Sequence, residues 1–196
     1  MTGRDHGGGS IVVCGEALVD LIAARSGDEV GYAPRPGGSP YNVAVALARL
    51  DVPTAFLGRI STDIFGERLR DHLASNGVDL RYVRRGPEPT TLAFVHVEEG
   101  QEPTYAFYRD GTADRALSPE DVPSAFPDGV RALHVGLGSI TLAVEPAAST
   151  LRSLMERERE PGSSRSTRTC GPSSSGAAER TSSCSRSGSG SSTSRR

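Results

Sequence analysis

Beyond Met155 the chain contains no Val, Leu, Ile, Met, Phe, Tyr or Trp, so any core must be built from the residues before it. Residues 161–196 are dominated by Ser, Arg, Gly and Thr. Such a stretch buries too little apolar surface to offset its ordering entropy, and a disordered tail is expected there. Residues 1–10 are polar and are expected to form a disordered leader. The folding unit is therefore residues 11–160.

Within that unit, short apolar runs alternate with helical patterns, which predicts an α/β fold with a largely parallel sheet. Ile11 to Cys14 reads as a buried strand, with Asp20 expected at its end, on the sheet edge where open α/β proteins bind ligands. A helix starting near Pro40 carries Val43, Ala46, Leu47 and Leu50 at helical spacing. Thr54 to Gly58 is a strand, and Asp63 is the expected N-cap of a helix that stops at Gly77. Thr91 to Val97 and Thr104 to Tyr108 read as a β-hairpin, Leu133 to Val135 as a return to the main sheet, and Glu145 to Glu160 as a helix.

The formal net charge is -2, which offers no electrostatic footprint for nucleic acid or an anionic membrane. All 22 residues counted as Lys plus Arg are Arg, a sign of a GC-rich coding sequence. No apolar run reaches membrane-spanning length and the leader is too polar for a signal peptide, so a cytoplasmic protein is expected. Cys14, Cys170 and Cys184 lack zinc or disulfide-framework spacing, and His6, His72, His96 and His134 lack metal-ligand spacing, so no metal site is expected on this chain.

The most informative motif is Gly37-Gly38-Ser39-Pro40-Tyr41-Asn42-Val43-Ala44-Val45-Ala46-Leu47-Ala48-Arg49-Leu50. Paired glycines let backbone N–H groups approach a ligand, and the helix that follows opens with unpaired N–H donors. Together with Gly15-Glu16-Ala17-Leu18-Val19-Asp20 and Arg59-Ile60-Ser61-Thr62-Asp63, this run resembles the N-terminal half of the PfkB, or ribokinase-like, carbohydrate kinases. The resemblance covers roughly Ser10 to Glu160. Phe107-Tyr108-Arg109-Asp110-Gly111-Thr112-Ala113-Asp114 is most similar to fructokinases and 2-keto-3-deoxygluconate kinases.

The resemblance implies a ribokinase-like three-layer Rossmann-type sheet, present as its N-terminal half, with a small β lid at about residues 91–108. It implies that Asp20 accepts hydrogen bonds from sugar hydroxyls, the alternative being an exposed loop carboxylate. Gly37, Gly38 and Asn42 would grip the sugar, and Arg109 would clasp hydroxyls or a carboxylate in a bidentate fork, its alternative being a solvated edge charge. Phe107 and Tyr108 alternate across their strand, so one faces the sugar, and the sequence does not decide which. Asp114 either orders the lid or caps a turn.

The intact enzymes use ATP and Mg2+ to phosphorylate a small sugar, and often form a homodimer through the lid. Fructose is the first choice of acceptor, with 2-keto-3-deoxygluconate or another ribokinase-type sugar as alternatives. The family's Gly-Ala-Gly-Asp motif, which supplies the anion hole and the base, is missing from this sequence. The chain alone is therefore expected to hold no catalytic residue, to bind neither cofactor well and to be inactive. A non-catalytic sugar-binding or dimerisation fragment is the rival reading.

The tail has two candidate origins, a natural low-complexity segment or a shift of reading frame. The family places here a strand ending in a motif like Val-Val-x-Leu-Asp-Pro-Asn-Val-Arg-Pro. GC-rich codons for that motif, read one base out of frame, give Ser-Ser-Arg-Ser-Thr-Arg-Thr-Cys-Gly-Pro, which is Ser163 to Pro172. That run of agreement favours the frameshift.

Overall fold

A computed structural model describes residues 9–26, 29–96, 100, 102–136, 143–159 and 166–170, with 25, 26, 29, 30 and 166–170 described as backbone only. The expected leader lies outside the described residues up to residue 8, and Ser10 already belongs to the first strand, β1 (Ser10–Cys14). Its apolar residues make β1 the middle of a five-stranded sheet. β4 (Thr54–Ser61) and β5 (Val83–Gly86) lie on one side, β8 (Val130–Gly136) and β9 (Ser166–Cys170) on the other, in the order β5-β4-β1-β8-β9. Every pairing in this sheet is parallel, as the alternating pattern predicts.

Three layers follow from the two-residue period of β1. Val12 and Cys14 face one way, into a cluster with Leu57, Val135 and Leu117 and with Leu151 and Leu154 of α3 (Ala147–Arg159). Val13 faces the other way with Phe56, against α1 (Ser39–Arg49) and α2 (Ile64–Ser75). The buried stripe of α1 is shifted from the expected one. Tyr41, Ala44 and Val45 are buried, whereas Leu50 is 73% exposed and Ala46 is exposed. Tyr41 sets that rotation: its hydroxyl donates to the Leu69 carbonyl at 2.8 Å and lies 2.9 Å from His72 Nδ1, fastening α1 to α2.

Asp63 is the N-cap of α2, accepting from the Gly66 N–H at 2.7 Å, and Gly77 follows the helix at φ 80°, where a side chain would be strained. The lid is larger than the expected hairpin. β2 (Leu18–Ser26) and β3 (Glu29–Gly37) join β6 (Thr91–His96) and β7 (Thr104–Tyr108) in a second sheet, ordered β3-β2-β6-β7. Asp20 is consequently not at the end of β1 but inside β2, on this second sheet.

Within the expected tail, 161–196, one strand is described. Ser166–Cys170 pair with β8 in parallel, Thr167 beside Leu133 and Thr169 beside Val135. An open strand edge offers backbone N–H and C=O groups that residue hydrophobicity does not measure, and β-branched Thr suits the pairing. The rest of that segment lies outside the described residues.

Candidate functional site

The glycine turn is fixed by two neighbours. Gly38 is the N-cap of α1 at φ 105°, a conformation that L side chains rarely adopt, and the Asn42 N–H donates to its carbonyl at 2.9 Å. The Ser39 N–H donates to Oε1 of Glu16 at 3.2 Å, so a buried carboxylate at the end of β1 engages the first turn of α1. A Cβ on Gly38 would sit 2.9 Å from the Glu16 carbonyl oxygen.

Asp20 lies directly over this turn, where a Cβ on Gly37 would collide with its Oδ2. Gly37 is therefore required for the approach of that carboxylate. Partial burial pushes the Asp20 carboxyl above its ordinary range. Asn42 is on the first turn of α1 with its side chain exposed.

Cross-strand register puts Phe107 and Tyr108 on opposite faces of the lid sheet. Arg35, Asp20, Ala93 and Phe107 form one row across β3, β2, β6 and β7, so Phe107 shares the Asp20 face. Tyr108 is on the opposite face, edge-on to Phe94 at 5.3 Å. Arg109 follows β7, exposed, on a cavity of about 330 Å³ with Phe107, Tyr108 and Thr112, of which Asp20 is not a wall.

The lid is tied at its root. The hydroxyls of Thr91, at the start of β6, and Thr112, beyond β7, donate to Asp114 Oδ1 at 2.6 and 2.8 Å. Burial pushes the Asp114 carboxyl up, against the opposing pull of those two hydroxyls. Asp63 makes a second tie, accepting from the Thr90 N–H at 2.8 Å and the Thr90 hydroxyl at 2.7 Å. The sequence marked Asp63 only as a helix cap and gave Glu16 no role. No local pattern signals a contact made across 23 or 27 residues.

Among the described residues, no group of three or more His, Cys, Asp or Glu side chains converges as a metal site. None of their helices is long and apolar enough to cross a membrane.

The segment that builds the parallel sheet, the paired-glycine turn and the lid sheet over it matches a known family. The model of the pfkB family of carbohydrate kinases covers residues 9–154, and the chain belongs to that family. It is 42% identical over 149 residues to a fructokinase from Rhizobium leguminosarum bv. trifolii, covering 76% of this chain and 44% of that protein. Fructokinase from Xylella fastidiosa, solved with bound ATP, aligns with a TM-score of 0.73 at 28% identity, covering 82% of this chain and 48% of that one. Fructokinase from Vibrio cholerae O395, solved with fructose, ADP and calcium ion bound, aligns with a TM-score of 0.69 at 33% identity, covering 82% and 49%. The chain thus spans about half the length of these relatives.

Proposed function

We propose that this chain is the sugar-gripping half of an ATP-dependent kinase that phosphorylates a hydroxyl of fructose. The observation that carries this reading is the contact of Asp20 with Gly37, which holds a carboxylate acceptor beside a turn able to lend backbone N–H donors. In the intact enzyme Asp20, Gly37, Gly38 and Asn42 orient the sugar. Phe107 lies against its apolar C–H face, and Arg109 at the end of the lid helps to exclude water that would otherwise accept the phosphoryl group. ATP would supply the phosphoryl group and Mg2+ would neutralise its charge in the part of the family domain that this chain does not span.

The position of Arg109 beside Phe107 supports a second reading, 2-keto-3-deoxygluconate, whose carboxylate a guanidinium would clasp. Alone, this chain binds neither cofactor well and does not transfer phosphate. The intact enzyme is cytoplasmic and pairs through its lid sheet, where Tyr105 and Tyr108 are exposed.

The test is phosphate transfer from ATP by this chain and by the protein made with its reading frame restored, each offered fructose and 2-keto-3-deoxygluconate. Transfer to fructose by the restored protein alone is the expected result. Indifference of the restored protein to both sugars would overturn the reading.

A further inference from the structure

Arg115 belongs to a short 3₁₀ turn, Ala113–Ala116, and is 7% exposed, yet its Nε and Nη2 have no hydrogen-bond partner among the described residues. Enclosing those N–H groups is costly, because the hydration they lose is not replaced by a hydrogen-bonding partner. Its sequence neighbour does not supply one by hydrogen bonding, since Asp114 Oδ1 is engaged by Thr91 and Thr112. Burial pulls the guanidinium toward its neutral form, Asp114 and Asp110 oppose that pull, and Arg109 adds to it.

Arg115 lines a cavity of about 280 Å³ between this turn and the start of α3. Three carboxylates also border it. Glu88 is held by Arg59 at 2.9 Å, Glu145 accepts from the Ser149 N–H at 3.1 Å, and Asp110 is exposed on the rim. The wall therefore offers one cation and several acceptors. A simple polyanion is repelled by it. A molecule with one carboxylate for the guanidinium and hydroxyl donors for the acidic side complements it.

We propose that the Arg115 cavity is a second binding site, separate from the Asp20 turn, for a small monoanionic hydroxycarboxylate. Its carboxylate pairs with Arg115 and its hydroxyls donate to the surrounding carboxylates. The proposal does not rest on the sugar-kinase reading.

The test is calorimetric titration of the full chain with threonate, against threitol, which lacks the carboxylate, and butyrate, which lacks the hydroxyls. Threonate should bind at least about tenfold more tightly than either, a loss that corresponds to one removed charged or multiple-hydroxyl contact. Arg115→Gln should abolish binding and Asp20→Ala should leave it unchanged. Should Arg115→Gln fail to fold, Ala116→Leu, which keeps the guanidinium and fills the cavity, should abolish binding instead. Binding of threitol or butyrate equal to that of threonate, binding that survives Ala116→Leu or a folded Arg115→Gln, binding lost in Asp20→Ala, or no binding of threonate at all would each overturn the proposal.

Discussion

Asp20 and Phe107 occupy one register row of the lid sheet, on the same face, with Ala93 between them. Two inter-strand spacings, about 10 Å, separate their backbones. Ala93 is small, so its own side chain does not rise between the two. A polar acceptor and an apolar wall thus border one strip of sheet. A small polyhydroxylated molecule has the matching character, with hydroxyls on its rim and C–H groups on its faces.

In the frame-restored enzyme, Asp20→Ala is expected to raise the KM for sugar by roughly ten- to a hundredfold, the loss of hydrogen bonds to a charged acceptor being worth about 1.5 to 3 kcal/mol. The raised carboxyl also predicts a pH dependence. The ionised acceptor is lost as pH falls through a value above the usual aspartate range, so sugar affinity should decline on acidification earlier than a solvated Asp would dictate. Folding stability has the opposite sign, since a carboxyl whose folded pKa exceeds its unfolded one makes the native state more stable as pH falls. Steady-state kinetics across pH in wild type and Asp20→Ala provide the check, and identical profiles would remove Asp20 from the site.

Gly38→Ala should destabilise the chain by roughly 1 to 3 kcal/mol, because the new Cβ must adopt φ 105° and press on the Glu16 carbonyl. Urea denaturation measures this. An unchanged midpoint would mean that the turn rearranges freely.

Asp63→Ala removes the α2 cap and both bonds from Thr90, and is expected to cost about 2 kcal/mol. Burial alone would raise this carboxyl, but the Gly66 N–H, the Thr90 hydroxyl and N–H, and Ser61 together hold it below its ordinary range. Its folded pKa is depressed, so its contribution is full above the unfolded value of about 3.9 and disappears as pH falls through the folded one. The stability gap between wild type and Asp63→Ala should close below about pH 4. A gap that persisted at lower pH would exclude the ionised carboxylate as its source.

The DNA around the codon for Pro161, read in another frame, is expected to encode an Asp-Pro-Asn-x-Arg segment and, further on, Gly-Ala-Gly-Asp. Two observations motivate this: the codon agreement over Ser163 to Pro172, and the pairing of Ser166–Cys170 with β8 where that reading expects a strand. Resequencing the gene is sufficient, and absence of both motifs from every frame would make the tail native.

The parallel sheet, α1 and the Asp63 cap were legible because each is written in local spacing. The β2–β3 pair was not. Leu18 to Ser26 shows no clean polar alternation, and Pro34 and Pro36 argue against a strand. Both prolines are tolerated because β3 is the outermost strand of its sheet, where a missing N–H donor need not break a ladder. The stripe of α1 was read two positions off because Tyr41, a polar-tipped residue, is fully buried along with Ala44. Arg115 lay beside a residue already singled out, Asp114, and only the packing of the 3₁₀ turn Ala113–Ala116 against β4 and α3 reveals that its guanidinium is enclosed.

The lid sheet carries Tyr32, Tyr105 and Tyr108, three of the five tyrosines in a chain with no tryptophan. Tyr41 and Tyr82 sit elsewhere, packed against Phe56 and Phe126. Three of the five tyrosine emitters of the unlabelled protein therefore sit on one sheet. Closure over a ligand, or contact with a second molecule, should change the intensity and solvent quenching of that light, giving the protein a native optical gauge that needs no engineered dye.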